Sequence, residues 1–421
     1  MLEIIKNRKI YPIGLDWSKN SLRAVQCKQQ NRKISLYRAM ALCKDSLLWG
    51  EPLERSFDGL DDESPIEDLE SSLDPNWEHE LKRLMRLGRF SGDQVILHCP
   101  LHRLDMRPIA LPSGPNGLAT DAIRGALRLQ IADQISFPVD QAVVDYYILK
   151  HDLEAGQLNV MAIAADGEWI KKRIEILSKA SLNCVGVDAL PCVLGRLLSH
   201  ALADSVARGH RESHSDAGEL FGVLDIGGQG SDLIVMNQQM PVFCRRFSFG
   251  GSVMTNTLSQ QLMIPGSQAE RLKRTYGMDQ QNSLPSAVET PAENDGIAPV
   301  SGKSQRHDIA KAIFGAWQST LEDFTEGIIR SLNYVITEQR GARLKAIYVT
   351  GAAGHTKALC AYLSGVFGIP VENINASIID NIVSPLPQSR ANPGAWTTAL
   401  GLALPARQVI LPKPQVMQEV I

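Results

Sequence analysis

Two segments of the chain follow the same pattern, in which an apolar strand ends in aspartate, a polar tight turn follows, and a second apolar strand begins. The first segment reads GLDWSKNSLRAVQ and carries Asp16, and the second reads VLDIGGQGSDLIV and carries Asp225. A pattern that recurs once in each half of a chain favours a duplicated unit. The chain has 421 residues, more than the roughly 250–300 at which one hydrophobic core stops growing. Two lobes are therefore expected, each built around one hairpin.

Strands and helices alternate along both halves. Alternating apolar residues predict three consecutive short strands around each hairpin, at 13–15, 22–26 and 34–37 and again at 221–226, 232–236 and 242–247. Helical spacing predicts helices at 77–87, 119–134, 169–180, 190–202, 267–276, 309–338 and 357–367, with further strands at 94–99, 143–149, 160–164, 185–187 and 346–350. The expected fold class is α/β, with a mixed sheet in each lobe.

Polar stretches suggest the domain limits. The first lobe is predicted at 11–203, a polar linker at 204–218, the second lobe at 219–404 and a C-terminal tail at 405–421. An acidic stretch at 44–75 reads as a solvated loop. A second stretch at 279–308 is rich in Ser, Pro, Gln and Asn and is predicted to be a mobile surface loop.

Composition excludes several functional classes. The formal net charge is −3, with basic and acidic residues intermixed, so no basic field indicates a nucleic-acid partner. The sequence contains neither an apolar run of membrane-helix length nor a secretory signal at its start, which predicts a cytoplasmic protein. Seven cysteines without a CxxC pair favour reduced, buried thiols. His98, Cys99 and His102 do not suit a metal site, because neighbours on a strand point to opposite faces.

The aspartates of the two hairpins carry the chemistry. A tight turn can present backbone N–H groups to phosphate oxygens, while the preceding carboxylate holds Mg²⁺ through water. Asp225 with Gly227, Gly228 and Gly230 fits this role, because glycines permit positive φ and close approach of a ligand. The DIGG segment alone is a weak signal and favours an ordinary hairpin turn. The late TGAAG segment adds a third backbone surface that suits an adenosine.

Several further motifs, in the same order along the chain, resemble the PilM branch of the actin, Hsp70 and sugar kinase superfamily. The segments are ALRLQIADQISFPVDQAVVDYYIL, VGVDALPCVLGRLL, FSFGGSVMTNTL, which resembles an FGGxxxT element, and SQAERLKRTYG, which resembles an EAExxK helix. The resemblance extends from about residue 13 to about residue 402. It identifies the chain as a member of the PilM-type family of type IV pilus assembly proteins.

The resemblance implies a two-lobed actin-like fold with a small subdomain inserted in the first lobe, at about 94–164. It also implies ATP with Mg²⁺ between the lobes, with metal ligands at Asp16 and Asp225, a ribose contact at Glu270 and Lys273, and adenosine near Gly351. The implied cofactor-binding residues are Asp16, Ser18, Asp225, Gly227, Gly228, Gly230, Glu270, Lys273, Gly351 and Ala352.

The resemblance further implies a scaffold at the inner membrane, recruited by the N-terminal tail of a PilN-like protein; motor ATPases of the pilus are further candidate partners. We expect the tail to dock between the main and inserted subdomains of the first lobe. DWSKNS and GAAG depart from the family's small-residue phosphate loop and Gly-Gly pair. A nucleotide-degenerate member, serving a type II secretion, MSHA-type pilus or DNA-uptake system, therefore remains an alternative.

Two other classes compete with the scaffold. A sugar or acetate kinase would need a catalytic base, and no second carboxylate motif supplies one, so at most slow ATP hydrolysis is expected. An FtsA-like filament protein would end in an amphipathic membrane helix. The prolines at 405, 412 and 414 cannot lie inside one helix, which disfavours direct membrane insertion.

Overall fold

The chain divides into two compact units, each with its own sheet. The structure, a computed structural model, describes residues 8–19, 21–30, 33–43, 77–113, 119–152, 155–209, 219–237, 240–278, 302–339, 341–374 and 393–405. The first unit combines Met1–Arg211 with Ala376–Ile421, and the second comprises Glu212–Asn375. Both contain helices and mixed sheets, so the predicted α/β class is confirmed.

The described residues form thirteen strands and nine α-helices. The strands are β1 Arg8–Ser18, β2 Ser21–Gln30, β3 Lys33–Cys43, β4 Gln94–Cys99, β5 Leu104–Pro112, β6 Ala142–Asp152, β7 Gln157–Asp166, β8 Asn183–Ala189, β9 Glu219–Ile226, β10 Ser231–Asn237, β11 Met240–Phe247, β12 Arg343–Thr350 and β13 Val371–Asn373. The helices are α1 Trp77–Gly88, α2 Thr120–Ile131, α3 Gly167–Lys179, α4 Leu190–Gly209, α5 Gly251–Leu262, α6 Gly266–Tyr276, α7 Gly302–Glu338, α8 Leu359–Phe367 and α9 Thr397–Ala403.

The main sheet of the first unit has the order β3-β2-β1-β4-β8, antiparallel within the β1 to β3 meander and parallel from β1 to β8. Ile13 and Leu15 point to one face, where they pack in a core with α1 and α3. On the opposite face α9 lies against β1, since a Cβ atom on Gly14 would stand 2.3 Å from the Ala399 carbonyl oxygen. Helices on both faces explain why β1 is apolar on both sides.

A small subdomain is inserted after β4. Strands β5, β7 and β6 form an antiparallel sheet, which α2 covers on one face. Helix α2 buries Ile123, Leu127 and Ile131, four residues apart, against that sheet. The prediction placed this insertion at 94–164, but β4 belongs to the main sheet and β7 continues to Asp166.

The sheet of the second unit repeats the arrangement, with the order β11-β10-β9-β12-β13. Its core runs along α7, where Trp317 is fully buried and donates a hydrogen bond from Nε1 to the Met254 carbonyl at 2.8 Å. Phe249 stacks on Phe324 with ring centroids 4.1 Å apart. These contacts fix α5 and the segment before it against the long helix.

Several element limits differ from the sequence expectation. Helix α9 lies within the predicted second lobe, 219–404, yet packs in the first unit. Helix α7 begins at Gly302, inside the predicted loop 279–308, and α4 continues into the predicted linker as far as Gly209. The acidic stretch 44–75, the loop residues 279–301, the linker residues 210–218 and the tail residues 406–421 lie outside the described residues. In the described part of the chain no helix has the length and apolarity to cross a membrane.

Candidate functional site

The second hairpin places Asp225 on β9, just before a turn at 227–230. Within the turn the N–H group of Gly227 donates to the Gly230 carbonyl at 2.9 Å. Gly228 and Gln229, at the tip, are exposed to solvent. The turn therefore offers accessible backbone immediately after a partly buried carboxylate, as the sequence predicted for a phosphate contact.

The same turn caps helix α5. The Gly227 carbonyl accepts from the N–H of Gly251 at 2.9 Å, and the Gly228 carbonyl accepts from Ser252 at 2.7 Å. The first amides of a helix have no intrahelical acceptors, and here backbone carbonyls of the turn satisfy two of them. An anion at this site would therefore contact the tip of the turn rather than these two helix amides.

Close packing, not positive φ, explains two of the turn glycines. None of Gly227, Gly228 and Gly230 has positive φ, so that part of the sequence argument was wrong. A Cβ atom on Gly230 would stand 3.0 Å from the Phe247 carbonyl oxygen, and one on Gly227 would stand 3.1 Å from the Gly230 carbonyl oxygen. A Cβ atom on Gly228 would meet nothing within 4 Å. Gly228 thus faces open space that a ligand can enter.

The loop after β12 lies against the same carboxylate. Thr350 pairs with Asp225 across the parallel strands, and Gly351 follows with φ +85°. A Cβ atom on Gly351 would lie 2.3 Å from Asp225 Oδ1. The N–H of Ala353 donates to the Ile226 carbonyl at 2.9 Å, while Ala352 is exposed. The predicted adenosine loop and the predicted phosphate turn are therefore adjacent.

A buried lysine connects α6 to the start of α5. The Nζ atom of Lys273 donates to the Gly251 carbonyl at 3.0 Å and to Thr255 Oγ1 at 2.8 Å, and forms an ion pair with Glu270 Oε2 at 2.5 Å. The other oxygen of Glu270 accepts from Arg274 Nε at 2.6 Å. Thr255 also donates to Glu270. The network places Glu270 and Lys273 beside the turn, since a Cβ atom on Gly251 would stand 3.4 Å from Lys273 Nζ.

The pKa values of this pair reflect its partial burial. Burial acts to raise the pKa of Glu270, but the charge and hydrogen bond of Lys273 outweigh it, so that the carboxyl pKa is lowered. Burial lowers the pKa of Lys273, and the charge of Glu270 opposes that shift. The site therefore holds a polar pair whose charges are mutually compensated rather than exposed to water.

The aspartate of the first hairpin, Asp16, lies in the first unit and contacts basic side chains. Asp16 Oδ1 lies 3.2 Å from His98 Nε2, and Oδ2 lies 3.4 Å from Arg23 Nη1. Burial acts to raise the pKa of Asp16, but His98 and then Arg23 outweigh it and lower the pKa. Ser18 Oγ lies 2.7 Å from Ser21 Oγ at the end of the hairpin. Both oxygens of Asp16 thus already face cationic or hydrogen-bonding side chains.

Trp17 does not project into the first turn. Its ring packs edge-on against Trp77 at 5.4 Å, and the guanidinium of Arg173 stacks on it at 4.1 Å. The side chain is part of the core between the sheet and α1. The large residue that departs from the small-residue loop is therefore accommodated by the fold, with no ligand required to explain it.

The structure brings eight of the ten predicted cofactor-binding residues together within the second unit. They are Asp225, Gly227, Gly228, Gly230, Glu270, Lys273, Gly351 and Ala352. Asp16 and Ser18 belong to the first unit, and the metal pair of Asp16 and Asp225 stays a prediction. Among the described residues no three His, Cys, Asp or Glu side chains gather as a metal site.

Sequence reasoning missed three residues of these sites. Thr255 stands in the FGGxxxT element and was not assigned a role. Arg23 lies directly opposite Asp16 in the hairpin register. Counting residues outwards from the turn along both strands would have predicted this pair. His98 reaches Asp16 from β4, a strand far away in the sequence, and no local signal indicates that contact.

A groove of about 730 Å³ opens in the first unit, where the inserted subdomain meets α3. Its charged lining consists of three basic residues, Arg124, Arg128 and Lys171, and two acidic residues, Asp140 and Glu168. The beginning of β6, residues 142–144, forms its apolar part. Strand β6 is an edge of its three-stranded sheet, so the groove combines an apolar strand edge with a charged rim in which basic residues outnumber acidic ones by one.

One family model matches more than half of the chain. The family model described as "Type IV pilus assembly protein PilM" matches residues 14–290, more than half of the chain. The model for "Cell division protein FtsA" matches residues 222–401. Among curated proteins nothing matches.

Several solved structures are similar to this chain, and the first of them shares its fold. A structure described as the "PilM-PilN type IV pilus biogenesis complex" is similar over 93% of this chain and 97% of that chain, with 20% identity and a TM-score of 0.67. The ethanolamine utilization protein EutJ from Carboxydothermus hydrogenoformans covers 94% of this chain and 89% of its own, at 13% identity and a TM-score of 0.44. MreB 5 of Spiroplasma citri bound to AMPPNP covers 89% and 93%, at 15% identity and a TM-score of 0.41.

Proposed function

Because the chain belongs to the PilM family of type IV pilus assembly proteins, we propose that it is a cytoplasmic, nucleotide-binding scaffold of the pilus assembly platform. The scaffold acts at the inner membrane through a PilN-like protein, whose short cytoplasmic tail it binds. The observation that carries the proposal is the groove beside β6, which lies where the predicted tail site was expected.

The tail is proposed to dock in this groove in an extended conformation. An extended peptide can add to an edge strand through main-chain hydrogen bonds, while its side chains enter neighbouring pockets. Edge strand β6 offers the first interaction, and the apolar residues at 142–144 with the surrounding basic groups offer the second. The similar structure described as a PilM–PilN complex supports the choice of partner.

The nucleotide is proposed to be ATP, held in the second unit. The exposed tip of the turn at Gly228 would contact phosphate oxygens, and the Gly351–Ala352 segment would lie against adenosine. Glu270 and Lys273 would face the ribose side from α6. Mg²⁺ bound with the nucleotide would offset phosphate charge. The fit rests on Gly351, whose missing Cβ leaves room for the Asp225 carboxylate beside this loop.

The proposed scaffold role is tested by recruitment to vesicles. A full-length PilN-like bitopic membrane protein is reconstituted into liposomes, and the liposomes are floated with purified protein. We expect the protein to float with vesicles that carry the intact bitopic protein and to remain in solution with vesicles that carry a version lacking the cytoplasmic tail. Equal flotation with both preparations would refute the proposal.

A further inference from the structure

The aspartate of the first hairpin lies in a row of charged residues that crosses four neighbouring strands. Asp16 on β1 pairs with Arg23 on β2. On the other side the β1–β4 register, set by Leu15 with Leu97, puts His98 beside Asp16, and His98 pairs with Asp188 on β8. Basic and acidic residue types thus alternate along the row from β2 to β8.

The members of this row are buried and in contact. The side chains of Arg23, His98 and Asp16 expose 8%, 11% and 13% of their surface. The two oxygens of Asp16 contact His98 Nε2 and Arg23 Nη1, at 3.2 and 3.4 Å. Arg23 Nη1 also donates to Ser21 Oγ at 2.7 Å. Removal of the carboxylate charge would leave the buried guanidinium of Arg23 without its counter-ion, which is strongly destabilising.

The acidic end of the row is also paired. Asp188 accepts a hydrogen bond from Arg196 on α4. Arg196 in turn donates from Nη1 to the Gly401 carbonyl on α9 at 2.9 Å. The polar contacts therefore continue from the sheet to α4 and α9. A charge network of this kind holds the two helices against the sheet.

The second hairpin has a different row. Asp225 on β9 pairs with Asp232 on β10 and with Thr350 on β12. Asp232 accepts from Arg246 Nη1 at 3.0 and 3.1 Å, so the arginine of this row lies one strand further from the hairpin aspartate. In the duplicated hairpins, the strand neighbours of Asp16 are basic residue types, whereas those of Asp225 are an acid and a hydroxyl.

From this asymmetry we infer that Asp16 is a structural anion that joins β2, β1 and β4, and that the first hairpin supplies no metal ligand. A Mg²⁺ ion binds oxygen ligands and retains much of its water. At Asp16 it would compete with His98 and Arg23 for the same two oxygens, and its charge would stand beside the buried guanidinium of Arg23, which is unfavourable. A divalent cation that accompanies a nucleotide depends instead on the second hairpin, a consequence that rests on the proposed nucleotide binding.

The structural role is tested first, without nucleotide. Asp16→Asn is expected to lower the melting temperature of the apo protein by roughly 5 °C or more, because a buried pair is broken. The exposed Asp323→Asn on α7 serves as the matched control and should change it by less than about 2 °C. Combined with Arg23→Gln, Asp16→Asn should lower the melting temperature by less than the sum of the two single effects. A melting temperature for Asp16→Asn equal to or above the wild-type value would overturn the inference.

The metal consequence is tested second, by calorimetry with ATP in the presence of Mg²⁺ or of EDTA. The ratio of the two affinities should be the same in wild type and Asp16→Asn, and should fall towards one in Asp225→Asn. An affinity ratio close to one in Asp16→Asn would overturn the inference.

If Asp16→Asn does not fold, His98→Gln is measured instead, because the glutamine amide can still donate to Asp16. The affinity ratio of His98→Gln should match that of wild type, and a ratio close to one would contradict the inference. Absence of ATP binding in wild type would refute the nucleotide proposal, while the melting experiment would still decide the role of Asp16.

Discussion

The Cα atom of Gly351 lies so close to the Asp225 carboxylate that a Cβ atom on it would stand 2.3 Å from Oδ1. The same Cβ atom would stand 2.4 Å from the Ile226 carbonyl oxygen. The end of β12 and the end of β9 therefore meet at a point where only glycine fits. This contact joins the turn proposed to bind phosphate to the loop proposed to bind adenosine.

Gly351→Ala should strongly destabilise the protein. The residue has φ +85° and no space for a methyl group, so strain and overlap add up to about 3 kcal/mol or more of lost unfolding free energy. Urea denaturation followed by circular dichroism measures the loss. Gly228→Ala is the control, because its Cβ atom meets nothing within 4 Å. Equal unfolding free energies of the two variants would contradict the close contact of Gly351 with Asp225.

Gly228→Ala should weaken ATP binding while the fold is kept. The tip of the turn faces open space, so a methyl group there would obstruct only a ligand that approaches the backbone closely. We expect a loss of about tenfold or more in affinity, equivalent to about 1.4 kcal/mol. Gly315→Ala on α7, also in open space, should leave the affinity unchanged. Unaltered calorimetric affinity in Gly228→Ala would place the phosphates elsewhere.

Glu270 should make stability depend on pH in the acid range. Lys273 outweighs burial and holds the folded pKa of Glu270 below its usual value, which is near 4.3 in unfolded chains. The stabilisation is therefore complete above about pH 5 and is lost as pH falls through the folded pKa. Wild type should exceed Glu270→Gln by about 1–2 kcal/mol at pH 7, and the difference should shrink towards pH 3. Urea titrations that give a constant difference would contradict this account.

Removal of residues 281–299 should leave the melting temperature within about 2 °C of wild type, because this stretch contains few large apolar side chains to bury. Extension of the deletion to residue 313 should lower it much further, because Ile313 on α7 is fully buried in the core. Differential scanning calorimetry compares the two deletions. A large decrease already in the shorter deletion would show that this stretch contributes to the core.

The candidate site residues of the second unit could be selected from the sequence because they stand in local motifs, and their role in nucleotide binding stays a prediction. Asp225 lies at the end of a strand, the turn glycines and Gly351 follow strands, and Glu270 and Lys273 are three residues apart on one helix. The reason for each glycine was not predictable. A Cβ atom on Gly230 would stand 3.0 Å from the Phe247 carbonyl oxygen on β11, and such packing between separate strands leaves no pattern in the sequence.

The fold class and most elements were also predictable, because apolar periodicity is a local signal. Strand β5 was missed, since Pro108 and Pro112 within it are unusual in strands; both are tolerated because β5 lies at the edge of its sheet. Helix α9 was not assigned to the first unit. Its packing against Gly14 joins opposite ends of the chain, a relationship that neither periodicity nor composition reveals.

Docking of the PilN-like tail is tested most directly by a calorimetric titration of the protein with the synthetic cytoplasmic tail of a PilN-like protein. Two lysines on α3 provide matched variants, because Lys171 lines the groove, whereas Lys179, at the C-terminal end of the same helix, is exposed and does not line it. We predict micromolar or tighter binding by wild type and Lys179→Glu, and binding about tenfold weaker in Lys171→Glu. No binding by wild type, or equal binding by all three proteins, would contradict the proposed docking site.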